Sequence, residues 1–106
     1  MTELKNISII KEANVYFDGK VTSRAIVLED GTKQTLGIML PGEYTFDTNQ
    51  AEIMEMMSGE LEIRLPNETE FRKLNTPETF NVPANSKFDL KIKTVTDYCC
   101  SYIEDK

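Results

Sequence analysis

Residues 50–65 are Gln50-Ala51-Glu52-Ile53-Met54-Glu55-Met56-Met57-Ser58-Gly59-Glu60-Leu61-Glu62-Ile63-Arg64-Leu65, a segment that forms either a short helix or a strand leading into a second strand. By intrinsic propensity the Ala, Glu, Met and Ile of Gln50 to Met57 favour helix. Eight residues without a cap make a marginal helix, however. Ser58-Gly59 leads straight into the alternating run Leu61-Glu62-Ile63-Arg64-Leu65, as a hairpin turn would. The stretch from Glu52 to Met57 therefore predicts a strand. Glu52, Met54 and Met56 fall on one of its faces, and Ile53, Glu55 and Met57 on the other.

Outward from this segment, turn signals recur at Asp18-Gly19, Asp30-Gly31, Pro41-Gly42, Pro66-Asn67, Thr76-Pro77 and Pro83-Ala84-Asn85-Ser86. A spacing of roughly 8–12 residues between turns marks a chain of many short strands. Ile7 to Ile10, Val21 to Leu28, Thr35 to Leu40 and Phe88 to Lys93 fit that reading by β-branched content or by alternation. About ten strand-like pieces in so short a chain leave open edges unless the sheet closes or pairs with a partner. A single all-β domain over 1–106 follows, a small β-barrel or jelly roll that forms a homodimer. A ligand site in such a barrel is built from alternate residues on several strands.

The chain has 106 residues, with 12 Lys and Arg against 18 Asp and Glu, two Cys and no His or Trp. Lack of His removes the Ser-His-Asp triad, the Cys-His pair and the imidazole zinc sites. Acid–base chemistry falls to Glu, Asp, Tyr, Lys or Cys. The acidic balance argues against nucleic acid and anionic membrane as partners. Adjacent cysteines at Cys99 and Cys100 form no disulfide framework, and the amino terminus shows no secretory pattern, so a cytoplasmic location is expected. The two thiols point to opposite faces of their strand, and both read first as small buried hydrophobes.

Glu52 and Gly59 stand as E-x6-G, and Pro83-Ala84-Asn85-Ser86-Lys87-Phe88 stands where a cupin carries P-x-G-x-x-H. The chain resembles a cupin-type β-barrel stripped of its metal ligands. Where a cupin has H-x-H this chain has Glu43-Tyr44-Thr45-Phe46-Asp47-Thr48, and Phe88 holds the last His position. One surviving carboxylate is too few for a transition metal, so no metal is expected. A second resemblance rests on Tyr16-Phe17-Asp18-Gly19-Lys20-Val21, Gly42-Glu43-Tyr44-Thr45-Phe46, Leu65-Pro66, Phe80-Asn81-Val82-Pro83, Ser86-Lys87-Phe88 and Tyr98-Cys99-Cys100-Ser101-Tyr102. In this order they resemble the small bacterial pyrimidine/purine nucleoside phosphorylases of the cupin superfamily. The match runs from about Asn14 to Tyr102, leaving 1–13 as an amino-terminal extension outside it.

The resemblance implies an enzyme of broad specificity. It converts purine and pyrimidine nucleosides plus phosphate to free base plus ribose 1-phosphate, with phosphate as co-substrate and no cofactor. Cleavage of an N-glycosidic bond develops positive charge at the anomeric carbon. Glu52, a carboxylate directed into a barrel, is the first catalytic candidate, and Glu43 the second. Broad base tolerance fits stacking, for which Tyr44, Phe46 and Phe88 are candidates, although aromatics in small barrels mostly fill the core. Lys33 stands where the family commonly carries Arg, and it would meet phosphate as a point charge rather than a planar fork. The competing reading is a non-catalytic cupin, a small-molecule-binding or structural module whose pocket lost its chemistry with its histidines.

Overall fold

The computed structural model describes residues 3–103. Among these, eleven strands and one 3-10 turn form two facing antiparallel sheets. The longer sheet contains β1 (Ser8–Ile9), β3 (Val21–Val27), β4 (Lys33–Met39), β11 (Thr96–Tyr102), β6 (Glu52–Ser58) and β9 (Glu78–Val82), in that spatial order. A short β2 (Asn14–Tyr16) also pairs with β3. The second sheet runs β5 (Gly42–Asp47), β10 (Lys87–Ile92), β7 (Leu61–Arg64) and β8 (Arg72–Leu74). No helix among the described residues is long and apolar enough to cross a membrane.

Alternation on the decisive segment is as the sequence predicts. Met54 and Met56 are buried and Glu52 is half-buried on one face of β6, whereas Glu55 and Met57 are exposed on the other. The turn behind it differs from expectation. Strands β6 and β7 belong to different sheets, so Ser58-Gly59 is a crossing between layers rather than a hairpin. Gly59 has φ +115°, and a Cβ there would strike Thr96, so the crossing needs glycine for conformation and for space. Asp30-Gly31, by contrast, closes a true β3–β4 hairpin, with Thr32 N–H donating to Asp30 Oδ1 at 2.9 Å.

The core lies between the sheets. On β7 and β10 the alternate residues Leu61, Ile63, Phe88, Leu90 and Ile92 are all buried. Each such side chain contributes about 1.5–3 kcal/mol relative to exposure. Outside this face, Asp89 accepts hydrogen bonds from Thr45 Oγ1 at 2.6 Å and from Arg64 at 2.8 Å. The turn at Pro83–Ser86 is fixed by Thr48, whose hydroxyl donates to Pro83 O at 2.7 Å and accepts from Ser86 N–H at 3.1 Å. Asn85 adopts φ +53° there, a conformation Asn tolerates, so it serves the turn in place of glycine. This tie joins the end of β5 to the start of β10 and sets Phe46 opposite Phe88.

Candidate active site

A cavity of about 290 Å³ opens between the sheets at the end where β5 and β10 carry Phe46 and Phe88. Its two walls differ in chemistry. The wall on the longer sheet presents Ser23, Thr35, Glu52, Tyr98, Cys100 and Tyr102. Strand register explains this grouping: Thr35 pairs with Cys100, which pairs with Met54, while Tyr102 pairs with Glu52. Residues opposite one another on neighbouring strands point to the same face. Facing them are Phe46 and Phe88, stacked with centroids 5.5 Å apart and planes 23° apart. The Tyr16–Phe17 segment overlies the mouth, its Phe17 ring 5.5 Å from Phe46 in an edge arrangement.

Tyr98 reaches its place because its neighbour has no side chain. Gly37 pairs with Tyr98 on one side and with Ser23 on the other. A Cβ on Gly37 would fall 2.8 Å from the Tyr98 ring and against Thr22 O, so the bare backbone is what lets the ring lie across β4 toward Ser23. Ser23 Oγ also accepts from Asn14 Nδ2 at 3.2 Å. Burial pushes the Tyr98 phenol up to about 12, with the Ser23 hydrogen bond opposing the rise.

Glu52 is the ionisable group that gives this wall its charge. Burial raises its carboxyl above the ordinary Glu value, and a hydrogen bond from the Cys100 thiol pulls the other way. The Cys100 thiol and the Tyr102 phenol are both pushed up, chiefly by burial, and stay neutral near pH 7. Among the described residues no Lys or Arg lines the cavity, which the Glu52 carboxylate shares with hydroxyls and the Cys100 thiol. At the rim, Asp47 lies 3.8 Å from Lys87 Nζ. The donor set does not suit the metal that cupins commonly hold. Among the described residues no group of three or more His, Cys, Asp or Glu is placed to bind a metal ion.

The other residues singled out by sequence fall in different places. Phe46 and Phe88 line the cavity with Glu52. Tyr44 does not: it is 4% exposed, donates its hydroxyl to Leu40 O at 2.6 Å, and sits behind Phe17 and Phe46 as core. Glu43 points out from β5 into a surface hollow shared with Arg64 and Asp89. Lys33 is exposed on β4 and borders a neighbouring hollow, of about 290 Å³, that shares Tyr102 with the main cavity. Cys100, read from sequence as core packing, lines the site beside Glu52. The signal that finds it is the inward alternation Tyr98-x-Cys100-x-Tyr102 on a strand next to Glu52.

Fold and cavity together define a small β-barrel of the cupin type. Solved structures agree on the fold: an RmlC-like cupin from Shewanella frigidimarina superposes with a TM-score of 0.68 at 13% identity, covering 86% of this chain and 81% of that one. The chain belongs to the pyrimidine/purine nucleoside phosphorylase family, whose model matches residues 11–102. Pyrimidine/purine nucleoside phosphorylases from Sulfurimonas denitrificans and Syntrophotalea carbinolica are 69% and 59% identical to it, each over 98% of this chain and 100% of the relative. A protein of unknown function from Acinetobacter sp. ADP1 has a TM-score of 0.91 at 38% identity, covering 95% of this chain and 98% of that one.

Proposed function

We propose that the chain is a metal-free nucleoside phosphorylase of broad specificity, which converts purine and pyrimidine nucleosides plus phosphate to free base and α-D-ribose 1-phosphate. The observation that carries this is the two-walled cavity, with stacked aromatics on one side and a carboxylate among hydroxyls on the other. An aromatic wall holds a base by its π-face, which every base has, and so accepts both purines and pyrimidines. A hydroxyl-rich wall suits the pentose. As the C–N bond breaks, its electron pair leaves with the base, positive charge grows at the anomeric carbon, and a phosphate oxygen forms the new C–O bond. A Glu52 carboxylate with no cation among the described residues that line the cavity is the complement of that charge. Its ionised form does this work; the neutral Cys100 thiol donates to it, and Tyr102 in turn bonds Cys100.

Phosphate must come with cations from the rim, because among the described residues the cavity lining supplies none. Lys33, across Tyr102 from the cavity, is assigned that role. A cytoplasmic homodimer completes the reading, supported by Leu36, Ile38 and Met57, which are exposed on the outer face of the longer sheet. Light scattering at micromolar concentration should give twice the mass of the chain; a monomer mass refutes the dimer.

The activity is tested with chelator-treated protein and a panel of nucleosides, with and without phosphate, following base and pentose 1-phosphate by chromatography. Release of several bases that depends on phosphate is expected. Binding of nucleosides without release would make the protein a binding module instead.

A further inference from the structure

Between β2 and β3 the chain turns through Tyr16-Phe17-Asp18-Gly19, and three successive residues there are left-handed: Phe17 at φ +51°, Asp18 at φ +56° and Gly19 at φ +90°. Glycine adopts this conformation freely, whereas a bulky residue such as Phe adopts it at a cost. A cost in backbone strain persists where the surroundings enforce it, and such sites cluster at ligand clamps. Phe17 is unfavourable a second way, since 42% of it is exposed. A turn that served only to connect two strands has no use for an aromatic at this place.

What the conformation achieves is position. The Phe17 ring stands over the cavity mouth, 4.9 Å from Tyr44 and 5.5 Å from Phe46. Phe46 and Phe88 belong to paired strands of the second sheet, β5 at its edge and β10 inside it, and form the fixed half of the aromatic wall. Phe17 belongs to a turn whose closing bond is Lys20 N–H to Phe17 O at 3.1 Å. Tyr44, buried behind it, is the backstop against which Phe17 rests.

We infer that Phe17 is a base-stacking residue, and that the Tyr16–Gly19 turn is the outer jaw that holds the base of a nucleoside against the Phe46–Phe88 wall. The inference rests on the phosphorylase reading. A jaw that reads only the π-face holds any base, and it holds a purine more firmly than a pyrimidine because the larger ring system overlaps it more. Phe17 thereby sets the balance between the two substrate classes.

Two variants test this with inosine and uridine as probes. Phe17→Gly relieves the left-handed backbone while removing the ring. It should raise the nucleoside KM about tenfold for inosine and about threefold for uridine, within the range that stacking contributes, with kcat little changed. Its unfolding midpoint should move little, as relief of the backbone offsets the lost ring contacts. A merely structural Phe17 predicts the reverse, a clear loss of stability with both KM values unchanged. Phe17→Trp keeps a π-face and adds the sole Trp to a chain that has none. Its fluorescence should be quenched saturably by inosine in the absence of phosphate, with KM near wild type. If wild-type protein releases base but this fluorescence stays flat, or Phe17→Gly keeps both KM values, the stacking role fails and the phosphorylase reading stands. If wild-type protein releases no base from either nucleoside, both fail together.

Discussion

The two ends of the barrel interior are built on the same strands and treated in opposite ways. On β10 the inward positions run Ile92, Leu90, Phe88, and on β6 they run Met56, Met54, Glu52. Toward the Ser58–Leu61 crossing the aliphatic side chains fill the space, and Met56, Ile63 and Leu90 have no exposed surface. Toward the other end the same alternation delivers aromatics, hydroxyls and one carboxylate, and the space stays open. Close packing at one end stabilises the layers that hold the other end apart. Close packing and open space are thus separated along the strand rather than between elements.

The largest effect that would sharpen this contrast is at the filled end. Leu90→Ala should lower the unfolding free energy by about 2–5 kcal/mol, since the hole cannot collapse between two paired sheets. The folded fraction should keep its kcat/KM. A loss of kcat/KM in folded Leu90→Ala protein would break the separation.

At the open end, Glu52→Gln should slow phosphorolysis about a hundredfold, the order of magnitude for losing one preorganised charge, and leave the fold intact. Stability should move in the opposite sense. Burial raises the Glu52 carboxyl in the folded protein, so ionising it costs stability as pH rises from below its unfolded value through its folded one. Glu52→Gln should therefore match or exceed wild type in urea near pH 7, and that advantage should vanish in acid below the unfolded value.

A smaller effect belongs to the rim. Lys33→Met should raise the phosphate KM about tenfold, as loss of one charge-assisted contact would, while the nucleoside KM holds. Equal changes in both would take Lys33 out of the phosphate role. Smallest is Asp89→Asn on the outer face, expected to cost about 1 kcal/mol or less because Arg64 and Asp89 are partly solvated. The Thr45 and Arg64 hydrogen bonds hold the Asp89 carboxyl below its ordinary value. Its contribution is present above the unfolded value and is lost as pH falls through the folded one, so wild type and variant should converge in acid.

Much of the fold was legible because alternation has a period of two and burial enforces it. The inward row Glu52, Met54, Met56 could be read directly from the sequence. The Ser58-Gly59 crossing could not, since a hairpin and a change of sheet demand the same turn residues and differ only in which strands pair beyond them. Glu52 was legible in the site as a carboxylate on an inward face. Cys100 was not, because a buried thiol and a cavity-lining thiol look alike until the cross-strand register with Thr35 and Met54 is known. Tyr44 and Phe46 share a face, and sequence cannot tell that Phe17 folds back to cover the first and leave the second facing the cavity. Lys33 carries the same kind of ambiguity: its face on β4 is inward, but it stands one step beyond Thr35, at the strand end, and emerges on the far side of Tyr102.

On the proposed function, nucleosides are cleaved in the open end and cleavage depends on the Glu52 carboxylate. The most direct test compares wild type and Glu52→Gln side by side, free of metal, for phosphate-dependent release of base and pentose 1-phosphate from inosine and uridine. Wild type should release both bases with one pentose 1-phosphate each, and folded Glu52→Gln should be slower by about a hundredfold. Wild-type rates in the variant would show that cleavage does not depend on Glu52.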